Sequence, residues 1–219
     1  MTQTYKRSFT DFTTTGNTTL YTVPSTRTAI INGFAFTNDS ASSTTVDVTL
    51  TDADSNVFYI YKSATVAAYA EHQIISNPLI VKEGEIIKAQ MANANRVHGL
   101  ISICELSARG VSNTYTNALK SLTTTGQTII YTVPDEKFAI LDSILVCEIA
   151  GNTPTLTTVY NDGTSDFNLN LGTLTANLTS DLLTRGQALQ SGDSLRMTST
   201  VADSIDTVVS LLEITPTGG

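Results

Sequence analysis

Tryptophan is absent from the 219 residues, and histidine and cysteine occur only twice each. Two histidines in unlike contexts, His72 and His98, cannot by themselves build a metal centre or a Ser–His–Asp triad. No G-x-S-x-G elbow and no H-E-x-x-H pair occurs either. Both histidines are expected at the surface or in loops, and no cofactor, metal or catalytic residue is expected. Cys104 and Cys147 follow an N-terminus without the apolar stretch of a secretory signal, so they read as buried thiols rather than a disulfide. Charged residues make up only 15% of the chain, against roughly 25% in ordinary soluble domains. The 12 basic residues form no run and the net charge is −8. That balance excludes a phosphate-tracking nucleic-acid binder. No segment approaches the ~18 continuous apolar residues of a membrane helix, so no membrane partner is expected and the protein folds in a cytoplasm.

Threonine is what the chain has in abundance, with 38 copies. Its β-branched side chain suits a half-exposed pleated surface. Polarity is thus carried by hydroxyls and amides, which pack against neighbours at a lower desolvation cost than charges do. Such a surface fits a protein that is built into a larger structure.

The chain also repeats itself. Thr13-Thr14-Thr15-Gly16-Asn17-Thr18-Thr19-Leu20-Tyr21-Thr22-Val23-Pro24 returns as Thr123-Thr124-Thr125-Gly126-Gln127-Thr128-Ile129-Ile130-Tyr131-Thr132-Val133-Pro134, 110 residues on, with nine of the twelve positions identical. Ala29-Ile30-Ile31 and Ala139-Ile140-Leu141 keep that offset. Towards the end of each copy the offset is 108, pairing Gly84 with Gly192, Lys88 with Arg196 and Glu105 with Glu213. A period of this length is a whole small domain and not a solenoid unit. The reading is a tandem duplication, with domains at 1–107 and 108–219 and a linker over Ser107 to Asn113.

Alternation of period two dominates each copy, as in Val46, Val48 and Leu50, in Phe58 and Ile60, and in Phe167, Leu169 and Leu171. Continuous apolar runs such as Ile144-Leu145-Val146 and Val208-Val209 predict central strands. Polar turn clusters follow at short intervals, and helical periodicity is absent. The fold class is all-β: two antiparallel β-sandwiches, jelly-roll-like or immunoglobulin-like, of about seven or eight strands each.

Asp52-Ala53-Asp54-Ser55-Asn56 begins like an EF-hand loop, but Val57 stands where glycine is required. Asp162 and Asp166 form a looser version in the second copy, and both segments are read as turns. Glu105 and Glu213 offer one carboxylate per copy, read as structural residues at the end of the last strand and not as a glycosidase pair. Tyr59, Tyr61 and Tyr69 cluster in the variable middle of the first copy. They are the candidates for a contact surface, with cross-strand packing as the alternative role.

The repeated Thr-Gly-x-Thr-x-Leu/Ile-Tyr-Thr-Val-Pro segment is followed by an Ala-Ile strand, then an Asn turn at Asn38 or Asn152. A Gly-Glu/Asp turn and a last apolar strand close each copy. This sequence of features resembles β-sandwich modules of tailed-bacteriophage virion proteins. The resemblance implies a non-enzymatic structural role in the virion, after synthesis in the host cytoplasm: capsid decoration or cementing, or attachment at neck or tail. It implies other virion proteins (major capsid, neck or tail subunits) as partners, and a homo-oligomer. The alternative is a receptor- or glycan-binding appendage module.

Overall fold

The computed structural model describes residues 2–107 and 113–216, which fall into two compact units. The first unit holds β1 (Gln3–Asp11), β2 (Thr18–Thr22), β3 (Arg27–Asn38), β4 (Thr44–Thr51), β5 (Val57–Val66), β6 (Glu71–Gln73), β7 (Leu79–Val81), β8 (Ile86–Met91) and β9 (Val97–Ser107). The second holds β10 (Asn113–Ser121), β11 (Thr128–Thr132), β12 (Phe138–Glu148), β13 (Thr155–Asn161), β14 (Asp166–Thr173), β15 (Thr179–Asp181), β16 (Gln187–Leu189), β17 (Ser194–Ser199) and β18 (Ile205–Ile214). Ser107 and Asn113 are thus strand ends, and the rest of the expected linker lies outside the described residues.

Each unit is a two-sheet sandwich with every strand pair antiparallel. In the first, one sheet runs β1-β9-β3-β6 and the other β2-β8-β4-β5; in the second the orders are β10-β18-β12-β15 and β11-β17-β13-β14. Chain-consecutive strands mostly alternate between the sheets, which is the double Greek key of a jelly roll rather than the ABED/CFG order of an immunoglobulin domain. The strand count exceeds expectation because β3 and β12 each bend at a bulge, after Ile31 and Leu141. Each long strand then carries two short partners end to end: β7 and β6 on β3, β16 and β15 on β12.

The repeated motifs are where the two frames coincide. Val23 N–H donates to the Glu85 carbonyl at 3.0 Å and Gly84 N–H to the Val23 carbonyl at 3.1 Å. Val133, Asp193 and Gly192 repeat both bonds at 2.9 and 3.1 Å. The Val-Pro end of the second strand is therefore fastened to the Gly-Glu/Asp turn. That turn needs φ of +77° at Gly84 and +85° at Gly192, a conformation that only glycine adopts at no steric cost.

The cores differ. The first unit buries Phe12, Phe34 and Phe36, with Phe36 centroids 5.7 Å from Phe12 and 5.3 Å from Phe34. Each buried ring contributes roughly 1.5–3 kcal/mol of transfer free energy. The second unit fills the aligned places with Leu122, Ile144 and Val146. Gly99 accommodates the rings, since a Cβ there would lie 3.2 Å from both Phe12 and Phe36. Its counterpart Thr207 is fully buried and donates its hydroxyl to Met197 Sδ at 3.6 Å. One expected half-buried strand departs from its pattern. In β14 Phe167 is 55% and Leu171 67% exposed, because β14 is the edge of its sheet and slips register opposite Thr158/Val159.

Candidate functional site

The titratable groups singled out by sequence are engaged in structural bonds. Tyr21, from the repeated motif on β2, donates its hydroxyl to Glu105 Oε1 on β9 at 2.8 Å. Tyr131 on β11 does the same to Glu213 on β18 at 3.0 Å. Each bond joins the two sheets of its sandwich. Lys6 completes the first at 2.7 Å and Lys137 the second at 2.5 Å. Burial raises the Glu105 carboxyl, but the hydrogen bonds from Lys6 and Tyr21 prevail and hold it below the usual carboxylate range. Burial and the neighbouring carboxylate push both phenols well above theirs. Both glutamates stand within the last strand rather than after it. Sequence marked each partner as repeated, but no spacing rule ties residues 84 and 82 apart.

The acidic turns are occupied by their own backbone. Asp52 Oδ1 accepts from Asp54 N–H at 3.0 Å and Asn56 N–H at 2.8 Å. Asp162 Oδ1 accepts from Thr164 N–H at 2.9 Å and Ser165 N–H at 2.8 Å. These are Asx turns, and no metal-binding group of three His, Cys, Asp or Glu side chains occurs among the described residues. Cys104 and Cys147 are both buried thiols, and neither is part of a disulfide.

A buried carboxylate that sequence reasoning passed over organises the loop after β12. Glu148 is fully buried and accepts N–H groups from Ala150, Gly151, Asn152 and Asn177 at 2.8–3.0 Å. At the aligned place in the first unit Asn38 holds its loop from both ends of its amide, accepting from Ser40 N–H and donating to the Ser42 and Val66 carbonyls.

The expected contact tyrosines fall into different surroundings. Tyr59 packs under Lys62, whose Nζ lies 4.5 Å from the ring centroid and 2.8 Å from Asp47. Tyr61 meets His72 edge-on at 5.4 Å, where burial lowers the imidazole's pKa. Tyr69 is 74% exposed, on the loop between β5 and β6. Among the described residues no ring contact joins it to the other two.

His98 stands on the exposed face of the first sheet, in register with Asp11 of β1. Its Nδ1 lies 2.6 Å from Asp11 and its Nε2 3.3 Å from Asp39. Carboxylates accept, so the two contacts favour the imidazolium form, in which both ring nitrogens donate. Those two bonds raise its pKa. In the second unit the matching register pair is Ser121 and Asp206, joined at 2.6 Å.

Beside His98 the same face carries exposed apolar groups that periodicity alone had assigned to no role. Tyr5 is 76% exposed, Phe9 66% and Leu100 39%. Phe9 and Leu100 are direct cross-strand neighbours, and Arg7 caps the Phe9 ring at 5.1 Å. An alternation filter would have placed Tyr5, Arg7, Phe9 and Asp11 on one face, but only the packing of the sheet, with Ile101 and Ile103 of β9 buried on the other side, shows that face to be open.

No protein-family model and no curated protein matches the chain. Solved structures with related outlines include a chain of the Sulfolobus turreted icosahedral virus, 10% identical over 95% of this chain, with a TM-score of 0.31. This chain spans 59% of that one. The major capsid protein P2 of bacteriophage PM2 is 10% identical over 99% of this chain and 98% of its own, with a TM-score of 0.34. PNGase F of Flavobacterium meningosepticum, a glycosylasparaginase, is 7% identical over 98% and 96%, with a TM-score of 0.36. Likeness at this level carries no argument about what the chain does.

Proposed function

We propose that the protein is a non-enzymatic structural component of a tailed-phage virion, decorating or cementing the capsid or attaching at the neck or tail. The observation that carries this is the outward display of apolar side chains on outer strands: Tyr5 and Phe9 on β1 with Leu100 beside them, and Phe167 and Leu171 on β14. Apolar groups in a setting of hydroxyls and amides are what a neighbouring subunit can bury cheaply. The motif resemblance names the kind of neighbour. The engagement of Glu105 and Glu213 in sheet-to-sheet bonds supports a role without catalysis. The test is mass spectrometry of purified particles followed by electron cryomicroscopy. The chain is expected in stoichiometric amount at one station on the particle, and its absence from purified particles would refute the reading.

Exposed Tyr69 favours a second reading, a receptor- or glycan-binding appendage. That reading requires binding on a glycan array that Tyr69→Ala abolishes.

A further inference from the structure

We infer that the outer face of the β1 sheet is a self-complementary surface on which a second copy of this chain docks across a two-fold axis. The inference is independent of any place on a virion. Along β1 the residues Tyr5, Arg7, Phe9 and Asp11 alternate onto one face, in unbroken register with Cys104, Ser102, Leu100 and His98 of β9. Phe9 stands between one cation and one anion. At about 3.4 Å per residue, Arg7 and Asp11 sit roughly 7 Å to either side of it. A two-fold axis lying in the interface plane above Phe9, perpendicular to β1, therefore sets Arg7 of one copy against Asp11 of the other, and the reverse. The Phe9–Leu100 pair of each copy meets its equivalent at the centre. The result is an apolar middle with a charged rim, the anatomy of a specific isologous contact.

Three observations favour a second copy over an unrelated occupant. The charge order along the face is its own complement under that rotation. Asp11 is available, since only its Oδ1 is held by His98 and its side chain is 75% exposed. The sheet itself does not demand the pattern, because the second unit performs the same pairing with Asn117, Leu119 and Ser121 in place of Arg7, Phe9 and Asp11, and its one carboxylate there, Asp206 opposite Ser121, is buried. Other charges around the centre are Asp39 and Arg96 at the rim of the cleft beside His98, and Glu71 across Thr37 on β6.

Sedimentation velocity of the full chain, carried up to the millimolar range, reads the outcome directly. The mass is expected to rise from 23.4 kDa towards twice that value with concentration. Arg7→Asp and Asp11→Arg should each weaken association at least tenfold, since each puts like charges across the axis. An equimolar mixture of the two single variants should associate again, because every rim contact in the mixed pair then joins opposite charges. Thermal unfolding of each variant checks that the exposed substitutions leave the fold intact, and Phe9→Ala should weaken association with the charges untouched. A wild-type chain that stays at 23.4 kDa throughout, single variants that associate like wild type, or a mixture that stays monomeric would each overturn the inference.

Discussion

Single residues in this protein are held in conformations that their type resists. Thr26 and Glu136 occupy the same place after the repeated proline, each at φ +61°. The turn closes through Arg27 N–H to the Pro24 carbonyl at 3.3 Å and Lys137 N–H to the Pro134 carbonyl at 3.2 Å. A β-branched residue in the left-handed region is strained by about 1–3 kcal/mol. Thr26 is exposed, so nothing else is lost on changing it. Thr26→Asn should stabilise the first unit by about 1 kcal/mol, and Glu136→Asn the second by less. Chemical denaturation checks both, and an unchanged midpoint for Thr26→Asn would show that the turn is not strained.

At the scale of elements, the sheets of each sandwich are joined by one repeated polar bond within an apolar interior. Tyr131→Phe removes the hydroxyl from Glu213 while Lys137 keeps the carboxylate paired. The expected loss is about 1.5–2 kcal/mol, the worth of a hydrogen bond to a charged group. Tyr21→Phe should cost a similar amount in the first unit, where Lys6 remains on Glu105. Denaturant midpoints decide it, and a Tyr131→Phe variant as stable as wild type would make the bond incidental.

Much of the element layout was legible beforehand, for physical reasons. Val46, Val48 and Leu50 alternate and are fully buried. Pro24 and Pro134 stop a strand because they cannot donate to the ladder. The choice between jelly roll and immunoglobulin order was not legible, since it depends on which sheet each strand joins and local pattern does not record that. The Glu148 cradle was hidden for a similar reason. Its donors come partly from Asn177, 29 positions away, and the residue reads as an ordinary polar neighbour of a turn. Nor could alternation tell the open face of β1 or β14 from a covered one. Exposure there follows from which face of each sheet is turned away from the core, and from register.

On the scale of the whole molecule, each unit carries an interior of its own. The second core cluster runs from Leu122 to Leu211 and takes no member from the first unit. Residues 1–107 and 108–219, produced separately, are each expected to give a β-type circular dichroism spectrum and a cooperative thermal transition. A half that stays unfolded alone would show that the two depend on each other to fold.

Tandem copies of one fold risk exchanging equivalent strands while they form, a familiar fault of repeat proteins. The ring-filled interior around Gly99 works against that error. Were β18 to enter the first sandwich, Thr207 would bring a side chain to within 3.2 Å of two aromatic rings. Were β9 to enter the second, Gly99 would leave a void and strip Met197 of its hydroxyl partner. Divergence of the two interiors thus acts as a proofreading code, by which each strand fits its own half and is rejected by the other.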